Sequence, residues 1–409
     1  MTNCGIEILP DELRNELQKI AYGACFLGSG GGGGLDTSFK YINDYCKGGI
    51  IESLKITDLN TAQGPGIVVA YMGAPQKVGD VKCPDAICDG VKKFETDMKK
   101  KDPNFNISYI IPIEIGPVSM VAACLAAHRM GKAVLDVDGA GRAVPTLDLI
   151  TYGTNAKTSV NPTILCSEYN EKSEDHGFHQ IALEISNEKN DPSGDASKME
   201  TLARHVLSMP LFDQKAGLVM WYFPDVTVLR EPYACVPGTL TFCQKLGDAI
   251  QSKPKDKEFL PYIKELFESQ SIYPAIKENY IREMCRGKLI SATTSTAGGF
   301  DVGVITIEGD SSIKDYSGHQ YTIIFQNESL ILWDSLSAIP LAIVPDLISY
   351  LIEEKPFTNG DIMRGDALKE ELHKKEIVVY GIAAPRVFVT REMQSNIMSV
   401  LNALGYYGK

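Results

Sequence analysis

Among its ten cysteines the chain has no C-x-x-C pair; they stand singly at 4, 25, 46, 83, 88, 124, 166, 235, 243 and 285. That scatter does not read as a disulfide framework, and reduced thiols of a cytoplasmic protein are expected. Cys25, Cys124 and Cys166 lie in apolar stretches, where a thiol behaves as a small hydrophobe. No apolar run approaches the roughly 20 residues that a bilayer requires. No signal-peptide pattern is present either, so no membrane is expected. Positive charge is in short supply: 40 Lys and Arg against 52 Asp and Glu leave a formal charge of -12. An acidic chain repels phosphate backbones, which removes nucleic acid from the expected partners. Histidine clusters are missing too. His176 and His179 are three residues apart, but two lone imidazoles fall short of the three or four ligands of a zinc site.

What is present is an ordinary globular composition, 44% hydrophobic and 22% charged, over 409 residues. That length suggests two or more lobes. Its polar centre is A-V-L-D-V-D-G-A-G-R-A-V-P, residues 133–145. A buried-strand pattern runs into Asp136 and Asp138, then a Gly-Ala-Gly turn, then Arg142. Ligands of open α/β sheets sit beyond the carboxyl ends of strands, where this segment would lie. The plainer alternative is an Asp-rich turn with Arg142 as an internal ion pair.

A second unusual stretch is G-S-G-G-G-G-G at 28–34. Six glycines in seven residues carry a large ordering cost, so the loop either admits close approach to its backbone or serves as a flexible linker. A helix at 10–24 precedes it, with Leu13, Leu17, Ile20 and Ala24 on one face, where a dinucleotide fingerprint needs a strand. No G-K-[ST] follows, so it is not a Walker loop. Asp36, Thr37 and Ser38 are N-cap candidates for the next helix, whose first N–H groups would suit an anion.

Strands are predicted at 50–56 and 67–71, a helix at 85–100, a buried strand at 107–113 and a small-residue helix at 118–130. With the strand at 133 this makes a parallel, right-handed βαβ unit, which sets Glu114 at the same sheet edge as Asp136 and Asp138. An acidic loop at 187–195, a helix at 200–209, a strand at 218–223, a helix from 239 to 250 and charged helical material at 253–286 follow. After Gly287 short strands alternate with turns (at Gly298-Gly299, for one), at 289–290, 303–308, 321–325, 330–333, 377–383 and 387–389, a small sandwich or barrel. Gln326, Asn327 and Glu328 interrupt one strand as a hydrogen-bonded bulge or edge, or as a polar contact across the cleft.

These pieces in this order resemble the S-methyl-thiohydantoin desulfurase-like family. The matching stretches are the glycine run, I-P-I-E-I-G (111–116), D-V-D-G-A-G-R-A-V-P (136–145), P-G-T (237–239), G-F (299–300), I-E-G (307–309), F-Q-N-E (325–328) and P-D-L-I (345–348). The resemblance implies an α/β chain. A three-layer α/β/α domain at 1–165 precedes a C-terminal region at 166–409. Helices at 197–285 pack on the α/β lobe, and a β-rich, barrel-like part spans about 286–390. It also implies chemistry on a five-membered cyclic imide or thiohydantoin, and fusion of some relatives to hydantoinase/oxoprolinase-type polypeptides. A hydrolase of such a ring needs an activated water and a stabilised tetrahedral intermediate. Glu114, Asp136 and Asp138 are the candidates for base or for oxygen ligands of a divalent cation such as Mg²⁺. Arg142 or the glycine N–H groups would hold the oxyanion. Ser29, Gly30, Gly31, Gly32 and Gly33, with Gln326, Asn327 and Glu328, are the candidates for substrate contact. Cys25 as nucleophile ranks below these, since burial raises a thiol pKa. The alternative is a non-catalytic ligand-binding or partner subunit of a hydantoinase/oxoprolinase-type complex. A homo-oligomer is expected in either case.

Overall fold

Residues 5–49, 52–73, 81–168, 179–186, 192–268, 280–297, 300–364 and 367–407 are described by the computed structural model. His176, the turn expected at Gly298-Gly299 and residues 187–191 of the acidic loop lie outside them. In chain order the strands of the first half are β1 (Ile6–Ile8), β2 (Leu54–Thr57), β3 (Gly66–Gly73), β4 (Tyr109–Pro112) and β5 (Ala133–Leu135), then β6 (Val137–Asp138), β7 (Thr163–Cys166), β8 (Gln180–Leu183), β9 (Lys215–Phe223) and β10 (Val236–Pro237). Eight of them form one mixed sheet in the order β1-β2-β5-β4-β3-β9-β7-β8. The four middle strands β2, β5, β4 and β3 run parallel. β1, β9, β7 and β8 pair antiparallel with their neighbours. The boundary expected at residue 165 falls within β7, and β8 and β9 join the same sheet from beyond it.

The longer helices are α1 (Leu13–Leu27), α2 (Leu35–Cys46), α3 (Asp85–Lys99), α4 (Pro117–Arg129), α5 (Pro192–Leu207), α6 (Thr239–Ser252), α7 (Phe259–Glu268) and α8 (Arg391–Ala403). α4 is the crossover between the adjacent parallel strands β4 and β5, as the sequence pattern predicts. Pro117 opens it, where a missing N–H costs nothing. Residues 120–127 of α4 are fully buried, because it packs on β3, β4 and β5 while α1 and α2 cover its outer side. An apolar surface all round suits such a helix.

The second half is antiparallel: β11 (Ile281–Ala297), β12 (Phe300–Gly309), β13 (Gln320–Gln326), β14 (Glu328–Asp334), β15 (Ile339–Ile343), β16 (Leu347–Ile352), β17 (Lys355–Pro356), β18 (Met363–Arg364), β19 (Ala367–Leu368) and β20 (Glu376–Ile382). The order is β15-β14-β13-β12-β11-β20-β16-β17, with β18 and β19 attached beside β11. The sheet is not closed, since β15 and β17 end it without pairing to each other; this corrects the barrel expectation. Two local expectations also change. Residues 281–286 are not helical but open β11, where Ile281 and Cys285 are buried against β20. Residues 387–389 are not a strand; Pro385 leads into a single 3₁₀ turn at Arg386–Val389. Leu330, Leu347, Tyr380 and Ile382 of this sheet belong to the same apolar core as α1, α4 and β5, so the two halves share one interior.

Candidate active site

The glycine run leaves α1 and crosses to the C-terminal sheet. Ser29 is fully buried in a left-handed conformation (φ 50°). Its carbonyl accepts from Ser329 N–H at 2.7 Å, and its Oγ accepts from Ile348 N–H at 2.9 Å. The Gly30 carbonyl accepts from Asn359 N–H at 2.7 Å. Ser29 therefore clasps the two halves together and does not line the cavity between them. The run is a packed strap rather than a linker. A Cβ on Gly31 would stand 2.3 Å from Glu328 Oε1. One on Gly32, which also needs a φ of 72°, would stand 2.3 Å from the Gly116 Cα. α2 begins directly after the run, with Gly34 at its N-cap. Asp36, Thr37 and Ser38 lie inside the helix. Its N-terminal N–H groups are served by Asp361 of the other half, whose Oδ2 accepts from Leu35 N–H at 2.9 Å. The anion at this helix start is the protein's own.

The stretch at 136–145 is likewise taken up by structure. β6 pairs with β10 in the register Val236↔Asp138 and Pro237↔Val137, which lays the start of α6 over Asp136. Asp136 Oδ1 then accepts from Leu240 N–H (2.8 Å) and Thr241 N–H (3.2 Å), and its Oδ2 accepts from the Thr241 hydroxyl. Burial raises its pKa against the pull of these donors. Asp138 folds back on its own turn, accepting from Ala140 N–H (2.7 Å) and Gly141 N–H (2.6 Å) through Oδ1. Burial pushes its pKa up to about 7. Arg142 is fully buried and donates to the carbonyls of Ala143 (2.8 Å), Pro345 (3.0 Å), Asp346 (2.8 Å) and Ser329 (3.1 Å). Its guanidinium pins the C-terminal half to this turn; burial lowers its pKa to about 10. None of Asp136, Asp138 and Arg142 lines the cavity, contrary to the expectation from sequence. Only the tail of the stretch, Val144 and Pro145, reaches its inner end.

The cavity itself lies between the halves. Its main part, about 350 Å³, is walled by residues 30–34, Glu114, Ser119, Asn327, Glu328 and residues 358–361. A smaller annexe of about 120 Å³ shares Tyr71, Gly73, Glu114, Ser119, Asn327 and Glu328 with it, and adds Glu200 and Arg204. Gln326 is on neither wall; it pairs with Glu328 across a tight hairpin in which Asn327 takes a φ of 57°. Asn327 is held by Asp301, N–H to carbonyl at 2.8 Å and Oδ1 to N–H at 2.8 Å. That hairpin delivers Glu328 into the cavity beside Glu114.

Glu114 accepts from Val144 N–H at 2.8 Å. Burial, and then the charge of Glu328, holds its pKa well above the ordinary carboxyl value. Glu328 is raised to about 7, by burial first, while Arg142 pulls it down. Its Oε2 is buried without a hydrogen-bond partner. Burial thus holds both carboxyls above their ordinary range, and the charge of Glu328 adds to the rise at Glu114. Among the described residues no three or more His, Cys, Asp or Glu side chains gather as a cation cage. Asp136 is spent on donors at the start of α6 and Asp138 gives Oδ1 to its own turn, and neither lines the cavity with Glu114, so the three acids do not face one shared Mg²⁺ site. Cys25 is buried and its thiol pKa is pushed well up by that burial. Sequence reasoning missed Ser119, Asn359 and Asp361. The T-x-x-D spacing of Thr358 and Asp361, which forms a capping box, was a readable signal for the last of these.

Residues 15–174 match the family model described as S-Me-THD-like, N-terminal domain, and residues 194–397 match S-Me-THD-like, C-terminal domain. The chain belongs to the S-Me-THD-like family. A crystal structure of a protein from Chromobacterium violaceum is similar along the whole length of this family member. It has 27% identity and a TM-score of 0.77, with 98% of each chain covered. No curated protein matches. Among the described residues no helix is long and apolar enough to cross a membrane.

Proposed function

We propose that this chain hydrolyses a five-membered cyclic imide or thiohydantoin ring, with Glu328 as general base and Glu114 as general acid. The observation that carries the reading is two buried carboxyls that line one inter-lobe cavity, both held above their ordinary pKa by burial, as is common for functional acids and bases. Glu328 takes a proton from water, the water oxygen bonds to the ring carbon, and the C–S bond to a methylthio group breaks. Glu114 gives its proton to the departing sulfur, so methanethiol leaves; the proton of the added hydroxyl passes to the ring nitrogen, and a ring carbonyl remains. The proton on Glu328 returns to Glu114 to reset the pair. A volume of about 350 Å³ suits a small ring. Apart from the protonated Glu114, the walls carry Asp36, Asp301, Glu328 and Asp361 against Lys369, which favours a neutral ring over an anionic one. The family name supports the thiohydantoin as the first ring to try. The test is methanethiol release from an S-methyl-thiohydantoin by the purified chain. Glu114→Gln and Glu328→Gln should each cut kcat by about 10²-fold or more, the range of general acid–base catalysis. Turnover only after a hydantoinase- or oxoprolinase-type polypeptide is added would replace this reading with the partner-subunit one. No turnover in either arrangement would overturn it.

A further inference from the structure

The acid and base account for the protons but leave the charge of the tetrahedral intermediate without a donor. Arg142 and the first N–H groups of α2 are already used. Ser119 is not. It is the third residue of α4 and is 8% exposed, and it lines both parts of the cavity beside Glu114 and Glu328. Among the described residues its hydroxyl has no hydrogen-bond partner. Around it the head of α4 is spoken for: Pro117 has no N–H, Val118 N–H donates to the Gly32 carbonyl at 3.0 Å, and Met120 N–H donates to the Gly116 carbonyl at 3.0 Å. The second observation is independent of the helix. Glu328, which lines the same cavity, has its Oε2 buried without a partner among the described residues. A vacant donor and a vacant acceptor on one wall match the two ends of a hydrated ring carbon, one bearing negative charge and the other an O–H.

We propose that the Ser119 hydroxyl, with the positive end of α4 behind it, is the donor that holds the anionic centre of the intermediate, which makes Ser119 a further catalytic residue. The inference rests on the ring-hydrolase reading. Donors fixed in place before charge develops are what such a site requires, and the start of a 13-residue helix adds its dipole. The test is Ser119→Ala against Ser119→Thr in the full chain, with kcat, KM and the thermal midpoint measured together. Loss of one such donor lowers kcat by about 10²- to 10³-fold. Ser119→Ala is expected to show that loss with KM and midpoint close to wild type, and Ser119→Thr to recover most of kcat. A kcat within threefold of wild type, or a loss that follows the midpoint, would overturn the assignment. If the wild-type chain turns over no ring at all, the function falls first, and Ser119 is then judged from a crystal soaked with hydantoin. A ring oxygen within hydrogen-bond distance of Ser119 Oγ would sustain its role as the donor. A ring bound elsewhere, or no ring bound, would end it.

Discussion

Replacing Glu328 by Gln tests the electrostatics of the cavity without any substrate. The carboxyl ordinarily titrates at 4.5 and is raised to about 7 here, chiefly by burial. At about 1.4 kcal/mol per pH unit, that difference is worth about 3 kcal/mol. The sign follows from which state holds the proton. Below pH 4.5 the carboxyl is protonated in both the folded and the unfolded chain, and its stabilising share is complete. As pH rises towards 7 the unfolded chain releases its proton first, and that share is lost. Above 7 both states are ionised and nothing further changes. Gln cannot ionise, so Glu328→Gln escapes this loss. The amide keeps an oxygen for the Gly32 N–H, and Oε2 has no partner to forfeit. With an unfolding entropy of about 2.1 cal/mol/K per residue over this length, 3 kcal/mol corresponds to about 3–4 °C in the thermal midpoint. Midpoints of both proteins at pH 5 and pH 8 should therefore diverge by that amount, with the variant the more stable at pH 8. Parallel pH profiles would refute the raised pKa, and with it the choice of Glu328 as the base.

Arg142→Met should be costly, because four carbonyls each lose a donor and Glu328 loses the opposing charge that lowers its pKa most. Breaking a buried charged cluster costs about 3–5 kcal/mol, which calorimetry would read as a midpoint lowered by several degrees. Asp136→Ala removes the acceptor for Leu240 and Thr241 N–H and should cost about 1–2 kcal/mol, as other helix-cap losses do, with kcat of the folded protein unchanged. A collapse of kcat at full stability would return Asp136 to the catalytic list. Gly32→Ala combines a left-handed backbone with a clash on Gly116 and should destabilise by about 2 kcal/mol or more in urea titration; a neutral result would mean the strap is looser than its packing implies. If turnover is found, kcat/KM should rise with pH through about 7 as Glu328 ionises.

The parallel core was legible because its signals are local. Buried-strand runs at β3 and β4, Pro117 at the first turn of α4 and the apolar strand after it dictate a βαβ unit wherever they occur together. The open edges of the C-terminal sheet were not, because closure depends on whether β15 meets β17, a pairing that no single stretch encodes. The caps were misread for the same reason. Asp36, Thr37 and Ser38 have the right chemistry to start α2, but Asp361, 326 residues away from Leu35 in sequence, is the group that does so.

The acids show most clearly why position along the chain is a weak guide to role. Asp136, Asp138 and Glu328 are all buried carboxylates at strand ends. The sequence separates them only faintly: D-G-A-G is an Asx-turn pattern, and turns of that kind occupy the Asp oxygen with N–H groups two and three residues on. Donor tally and access to the cavity together separate them. Both oxygens of Asp136 are engaged by α6; Asp138 gives Oδ1 to its own turn and keeps Oδ2 buried without a partner among the described residues, but it lines no part of the cavity. Glu328, which does line the cavity, keeps a buried oxygen that no described residue satisfies. An unsatisfied buried acceptor costs stability, about 1–3 kcal/mol or more when charged, and a fold retains it readily only where something else completes it. The hairpin that brings Glu328 beside Glu114, rather than the Asp-rich turn that draws the eye in the sequence, is therefore where a bound ring would make up what the protein leaves undone.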